Sequence, residues 1–315
     1  MHNRKEIAQS IRKWVKKQFL IIPFFVVLVV TEILLRSIWG FAHAPLYFES
    51  NAYEYMACPN QCGYRFGNHY YYNSYSQRSE EPDSTKTIVL GLGDSVLFGG
   101  VMTDQDSLAT SLFTAETGVQ MLNISAGSWG PDNCAAYLSE KGLFGAKAMF
   151  LLVSSHDAHD NMDFRPVVGK HPSYPDKQYL TAWGELIGRY LYPRSIGRLW
   201  GQNVDPDQQV LNGIGIDKKG IGFNDGFDKL KVMADNAGIP LFVCLHPDQE
   251  ELKKKAYNDQ GREIIRWCKQ NGITPILELN EGIGADMYRD GIHTNEKGQR
   301  FEANLMKKYI TKRLR

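Results

Sequence analysis

A serine that acts as a nucleophile needs a base within hydrogen-bond reach, a group that orients the base, and donors for the charge that builds on the attacked carbonyl oxygen. The chain holds candidates for each role. Gly93-Asp94-Ser95 comes directly after the apolar run IVLGL and directly before a helical stretch. A serine at the carboxyl end of a parallel strand sits where open α/β sheets place their ligands, and the helix start that follows offers free N–H groups to negative charge. Taken alone, the tripeptide has a plainer reading in which Asp94 or Ser95 only caps the helix. Asp290-Gly291-Ile292-His293 supplies what is missing, an Asp three residues ahead of a His in a turn that contains glycine. That spacing lets the carboxylate hold the imidazole Nδ1–H while Nε2 faces a serine. A surface Asp and His near a helix start would look similar, but coincidence is a poorer explanation when a strand-end serine stands at the other end of the sheet.

Two more strand ends carry useful groups. Asn123-Ile124-Ser125-Ala126-Gly127 ends on a glycine, whose missing Cβ lets its backbone N–H approach a reacting oxygen. Ser154-Ser155-His156-Asp157 closes the next run, so strand-end residues at 95, 127, 156 and 293 would converge on one crevice. His246, ahead of Pro247 at another strand end, either lines that crevice or is a satisfied strand-end histidine. His156-Asp157-Ala158-His159-Asp160 also reads as a metal cluster, but further ligands are not evident and no metal is expected.

Together these blocks resemble the SGNH (GDSL) hydrolase family, and the resemblance runs from about Thr87 to the C-terminus. It implies Ser95 as nucleophile, His293 as base and Asp290 as its orienter, with no cofactor. It implies an oxyanion hole built from the Ser95 and Gly127 backbone N–H groups, with Asp94 and Asp157 in supporting positions. The family's third block is usually Gly-x-Asn-Asp, whose asparagine side chain donates to the oxyanion; here His156 stands in its place. A neutral imidazole donates from one nitrogen and a protonated one from both, so His156 is a candidate third donor. Losing one such donor typically costs about 100- to 1000-fold in rate. The implied chemistry is hydrolysis or transfer of acyl esters, foremost O-acetyl groups of a cell-envelope polysaccharide. Polysaccharide-export or acetylation proteins are the implied partners. A lipid or small-ester esterase, and a binding or assembly protein that keeps the fold without turnover, are the alternatives.

The elements that must position these residues follow from hydropathy pattern. From Thr85 onward, short apolar runs alternate with helical stretches, the signature of βαβ units. Strands are expected at 86–92, 119–124, 148–154, 240–246 and 274–279, and helices at 107–118, 134–142, 224–238, 250–272 and 295–315. The expected fold over 86–315 is a three-layer, doubly wound, five-stranded parallel sheet, flavodoxin-like as in SGNH hydrolases. Residues 164–224 interrupt the rhythm and read as a lid or substrate-side insertion, partly helical within LTAWGELIGRYLYPRSIGRLW. Residues 43–85, rich in Tyr, Asn, Ser and Gly, read as an irregular linker that wraps onto the domain. Their tyrosines cover a core edge or face carbohydrate.

With 36 Lys and Arg against 35 Asp and Glu, the chain has no global electrostatic case for binding nucleic acid. The distribution says more. Arg4, Lys5, Arg12, Lys13, Lys16 and Lys17 precede the apolar run QFLIIPFFVVLVVTEILLRSIWGFA. The reading is a cytoplasmic segment, 1–17, and a transmembrane helix, 18–42, with the rest of the chain extracytoplasmic, periplasmic or extracellular. Ala42-His43-Ala44 looks like a signal-peptide cleavage site, but Pro45 follows it and the apolar run exceeds a usual signal core. Pro23 and Glu32 weaken the segment, since a carboxylate in hydrocarbon costs about 2.5–3.5 kcal/mol unless paired or near the interface. Cys58 and Cys62 form a local disulfide in an oxidising compartment or stay as thiols; a zinc site would need two more soft ligands.

Overall fold

The computed structural model describes residues 2–196, 218 and 220–314. Helix α1 (His2–Trp39) opens the chain, and its window Ile21–Trp39 has a mean hydropathy of 2.3 with none of it buried. Gly40 then turns the backbone at φ 69°, where a Cβ would come 2.0 Å from the Tyr64 carbonyl oxygen, so only glycine fits.

Residues 43–85 are not irregular, as expected from their composition, but form two antiparallel ribbons. β1 (Tyr47–Ser50) pairs with β2 (Glu54–Ala57), and β3 (Gln61–Arg65) pairs with β4 (Asn68–Tyr72). Every residue of β2 is buried, which erases the alternation that would betray a strand in sequence. The tyrosines cover the core: Tyr53 meets Trp129 edge-on at 5.8 Å, and Tyr55 meets Tyr174 at 5.1 Å. All five cysteines are unpaired, Cys58 half-buried and Cys62 exposed, so the local disulfide is absent.

The domain proper continues with β5 (Ile88–Gly93), α2 (Ser95–Phe98), α3 (Ala109–Thr117), β6 (Gln120–Ser125), α4 (Pro131–Lys141) and β7 (Ala148–Ser154). Next come α5 (Ala182–Glu185), prolonged as a π-helix over Leu186–Ile196, then α6 (Gly226–Ala237) and β8 (Leu241–His246). α7 (Gln249–Lys254), α8 (Asp259–Gln270), β9 (Ile276–Leu277), α9 (Glu278–Glu281) and α10 (Glu296–Leu314) complete it. The strands form one parallel sheet in the order β6-β5-β7-β8-β9. β5, β6 and β7 are buried at every residue, as strands covered on both faces must be. One face packs Leu90, Leu122 and Leu151 against Tyr137, Phe227 and Trp267 of α4, α6 and α8. The other packs Val89 and Phe150 against Phe113 of α3 and Met306 and Ile310 of α10. This is the doubly wound arrangement.

Two elements differ from expectation. The single helix expected over 250–272 is broken between α7 and α8, where Lys255 takes φ 51° and Asn258 caps α8 by accepting from the Gly261 N–H at 3.0 Å. The last strand, expected over 274–279, is cut to two residues because Glu278 turns into the interior and starts α9. Residues 197–217 and 219 of the expected insertion lie outside the described residues.

The C-terminal end of α1 is docked on that insertion. Glu32 accepts from the Ala182 N–H at 2.7 Å and the Trp183 N–H at 3.0 Å, capping α5 from a distant part of the chain. Arg36 donates to Glu32 and to the Leu180 carbonyl, each at 2.7 Å, and the Trp183 indole donates to Thr31 at 3.1 Å. Glu32 is therefore paired rather than stranded. Above it, a buried ion pair joins Arg65 of β3 to Glu185 of α5, the side chains 2% and 1% exposed. Arg65 also donates to the Gly40 carbonyl at 2.9 Å, and Glu185 accepts from the Ala42 N–H at 2.6 Å. Glu185 also accepts from Arg189 at 3.1 Å, but that side chain is 15% exposed, so removing Arg65 strips Glu185 of its one fully buried cation. Arg65→Met should thus lower unfolding stability by about 3–5 kcal/mol, and adding Glu185→Leu should restore most of it. Urea unfolding of the detergent-solubilised protein checks this; a single-mutant loss below about 1 kcal/mol would mean that the pair is not held as described.

Candidate active site

Ser95 owes its position to the sheet. The strand order reverses at β5, which has β6 on one side and β7 on the other, and a doubly wound sheet opens its crevice beyond the carboxyl end of such a strand. Gly93 permits the tight approach of β7, since a Cβ there would stand 2.7 Å from the Leu152 carbonyl oxygen. Asp94 caps α2 by accepting from the Val96 N–H at 2.8 Å, and Ser95 begins the helix.

The turn after α9 brings the other two groups to it. His293 Nε2 lies 2.9 Å from Ser95 Oγ, and His293 Nδ1 lies 2.9 and 3.0 Å from the two Asp290 carboxylate oxygens. Asp290 Oδ1 also accepts from the backbone N–H groups of Ile292 and His293, at 3.0 and 2.8 Å. Burial acts to raise the Asp290 pKa, but these two N–H groups and the imidazole outweigh it and hold the carboxyl below its ordinary value. The carboxylate is thus ionised and fixes Nδ1 as the protonated nitrogen, leaving Nε2 to accept the serine proton. Arg289 pins the turn to the loop after α2, donating to the Gly99 carbonyl at 3.2 Å and to the Thr103 hydroxyl at 3.0 Å.

Ser95, His293 and Gly127 line one cavity of about 330 Å³, together with Tyr174, Arg189, Tyr190 and Arg289. Ala44 and Pro45, just after α1, line it too. Gly127 is held by Tyr55, whose hydroxyl donates to its carbonyl at 2.9 Å. A Cβ on Gly127 would stand 2.2 Å from the Tyr174 hydroxyl, so no side chain fits there. Tyr174, Arg189 and Tyr190 come from the insertion and went unnoticed in sequence, where no motif marks them. Arg289 adjoins Asp290 and was legible by position only.

His156 is not among the residues lining this cavity. Its Nε2 instead faces three carboxylates, Asp94 at 3.5 Å, Asp160 at 3.8 Å and Asp157 at 3.9 Å. Burial works against its charge, but the carboxylates of Asp157, Asp94 and Asp160 win and push its pKa up to about 10. An imidazolium there balances the buried acids. Asp157 is fully buried, and burial together with the Asp94 charge drives its carboxyl well above the usual range. Asp157 Oδ2 accepts from the Ser154 N–H at 2.7 Å, whereas Asp157 Oδ1 and Asp94 Oδ2 find no hydrogen-bond partner among the described residues. Asp94, His156 and Asp157 offer ligand atoms within 4.8 Å of one another, close enough for a metal ion, but a charged imidazole already supplies the cation there. His159, the other imidazole of that stretch, turns away to Glu263 at 2.8 Å.

His246 does not line the cavity. It is fully buried behind the turn, with Nδ1 2.6 Å from Glu278 Oε2 and Nε2 2.8 Å from the Ile292 carbonyl oxygen. Burial disfavours its charge, yet Glu278 overrides this and raises its pKa to about 9, so both nitrogens donate. Glu302, beside them, has its carboxyl pushed up to about 8 by burial and by the Glu278 charge. These three also offer ligand atoms within 4.8 Å of one another, but both imidazole nitrogens are already engaged.

No protein family and no curated protein matches the chain by sequence. Among solved structures it is similar to a member of the lipolytic G-D-S-L family from Veillonella parvula, at 11% identity and a TM-score of 0.40 over 71% of this chain and 98% of that one. It is also similar to a lipase/acylhydrolase from Enterococcus faecalis, at 12% identity and a TM-score of 0.40 over 72% of this chain and 96% of that one. A third is a psychrotrophic esterase from Pseudoalteromonas, at 12% identity and a TM-score of 0.39 over 73% of this chain and 99% of that one.

Proposed function

We propose that the protein is a membrane-anchored serine esterase or O-acyltransferase of the SGNH type. The observation that carries this reading is the line of contacts from Asp290 through His293 to Ser95, with a hydroxyl 2.9 Å from a nitrogen whose opposite partner is a carboxylate. A merely capping serine has no reason to meet an oriented imidazole. His293 Nε2 takes the Ser95 proton as Oγ attacks the ester carbonyl, and Asp290 stabilises the imidazolium that results. The tetrahedral oxyanion accepts from the backbone N–H groups of Ser95 and Gly127, two residues that line one cavity. His293 gives that proton to the leaving oxygen as the intermediate collapses to an acyl-serine and the alcohol departs; His293 then takes a proton from a second hydroxyl, of water or a sugar, as it attacks the acyl-serine, and returns it to Ser95 Oγ when the new ester or acid leaves. O-acetyl groups on an envelope polysaccharide are the substrate class we favour, by analogy with membrane-tethered relatives of this type.

The anchor is read as retained. A cleaved signal would take with it Glu32 and Arg36, whose side chains complete backbone hydrogen bonding at the start of α5, and Thr31, which accepts from the Trp183 indole. The basic residues before the span set the catalytic domain outside the cytoplasm.

In the purified full-length protein, Ser95→Ala should abolish labelling by a fluorophosphonate and cut aryl acetate hydrolysis at least about 1000-fold. Labelling that survives in Ser95→Ala, or a folded parent that neither labels nor turns over, would defeat the esterase reading. A pH effect follows from the network behind the turn. His246 and Glu302 both bind protons more tightly folded than unfolded, with folded pKa values raised to about 9 and about 8. Groups raised in this way stabilise the fold at low pH and lose that contribution as pH climbs through the folded values. Unfolding midpoints should therefore fall between about pH 6.5 and pH 9, and Glu302→Gln should flatten the slope. A midpoint that rises over this window would contradict the network.

A further inference from the structure

We propose that the described first half of the insertion, from Tyr179 to Tyr192, lies in the outer boundary of the bilayer that α1 crosses, so that the Ser95 cavity draws its ester from amphiphiles held in that surface. The inference rests on the reading of α1 as an anchor and of Ser95 as a nucleophile. Length is the first argument. From Lys17, the last basic residue before the span, to Glu32 is fifteen residues, about 22 Å of helix. A bilayer core is about 30 Å thick, so hydrocarbon reaches past Glu32 and past the start of α5 that Glu32 caps.

That stretch is dressed for such a place. Leu180 is 95% exposed, and Ile187, Leu191 and Tyr192 are each about half exposed, an unusual set of uncovered side chains in one short segment. Ile33, Leu34, Ile38 and Trp39, on the end of α1 whose Glu32 and Arg36 bond to this stretch, are bare as well. Backbone groups at the start of α5 are paired: Glu32 takes the Ala182 and Trp183 N–H groups, Arg36 the Leu180 carbonyl, and the Thr181 hydroxyl the Gly184 N–H at 2.9 Å. Backbone closed off in this way tolerates lipid, and Tyr, Trp and Arg are the side chains that settle at a membrane boundary. Arg189 and Tyr190 of the same helix line the cavity with Ser95 and His293, as do Ala44 and Pro45 a few residues beyond α1. The cavity thus shares its wall with the segment assigned to the lipid surface.

The test uses the full chain in phosphatidylcholine proteoliposomes, in a Cys58→Ser/Cys62→Ser background. An environment-sensitive fluorophore is placed on Ile187→Cys or Leu191→Cys, and on Lys269→Cys of α8 as a water-facing reference. Blue-shifted emission and quenching by doxyl lipids at 187 and 191, with neither at 269, are expected. Spectra at 187 and 191 that match 269 would overturn the placement, whether or not the protein hydrolyses anything. For the substrate, Ile187→Glu/Leu191→Glu should slow cleavage of a hexadecyl-tethered aryl acetate in the same bilayer by about tenfold or more, and change soluble nitrophenyl acetate by less than about twofold. Equal effects on the two esters would overturn the lipid-borne substrate. A parent inactive on both would instead sink the esterase reading and leave the fluorescence to decide the placement.

Discussion

A serine hydroxyl and an imidazole separated by 198 positions in sequence meet at 2.9 Å, and most of the molecule is arranged so that they can. In a parallel sheet every strand ends on the same side, so groups far apart in the chain reach one rim if they sit at strand ends. The reversal of strand order at β5 opens that rim into a crevice, because the connection from β5 to β6 runs over one face of the sheet, through α3, and the one from β6 to β7 over the other, through α4. Ser95 occupies the reversal itself. The Asp290–His293 turn arrives from the far edge, beyond β9, and needs its own supports: Arg289 on the loop after α2, and His246 on the Ile292 carbonyl.

Those supports are charged, and His246 is fully buried. A carboxylate away from water is tolerated only with a cation or a proton close at hand. Beside β5 and β7, Asp94 and Asp157 share the His156 imidazolium; behind the turn, Glu278 is matched by His246 and Glu302. One cluster includes Asp94, the residue before Ser95, and the other bonds to the carbonyl of Ile292, the residue before His293. Such networks are poor sources of net stability but strong sources of a single geometry, since a displaced partner leaves a bare charge.

The N-terminal helix is likewise a working part of the architecture. Its Glu32 and Arg36 close the open end of α5, and the Arg65–Glu185 pair locks the same helix to the ribbons. The N-terminal helix, ribbons and insertion therefore hold one another, and the ribbons and insertion contribute Tyr47, Arg65, Tyr174 and Arg189 to the wall of the cavity.

Sequence alone determined what depends on local spacing and on burial that is uniform along a segment. A continuous apolar run reads as a covered parallel strand, so β5 to β8 were legible nearly to the residue. The motif Asp-Gly-Ile-His carries its own geometry within one turn, and Ser95 follows its strand wherever the strand goes. What tertiary structure alone decided are the features set by neighbours distant in the chain. β2 is buried on both faces by partners that its own sequence does not name, and so hid as a linker. His156 occupies the place of an oxyanion donor in sequence, but Asp94, from another strand end, draws its imidazole into an ion pair. His246 could have faced the crevice by its position, until the inward turn of Glu278 gave it a buried partner. Tyr174 meets Gly127 across a gap of loops with no periodicity at all. In each case the deciding term is an electrostatic or packing contact between segments, and such contacts have no signature within either segment taken alone.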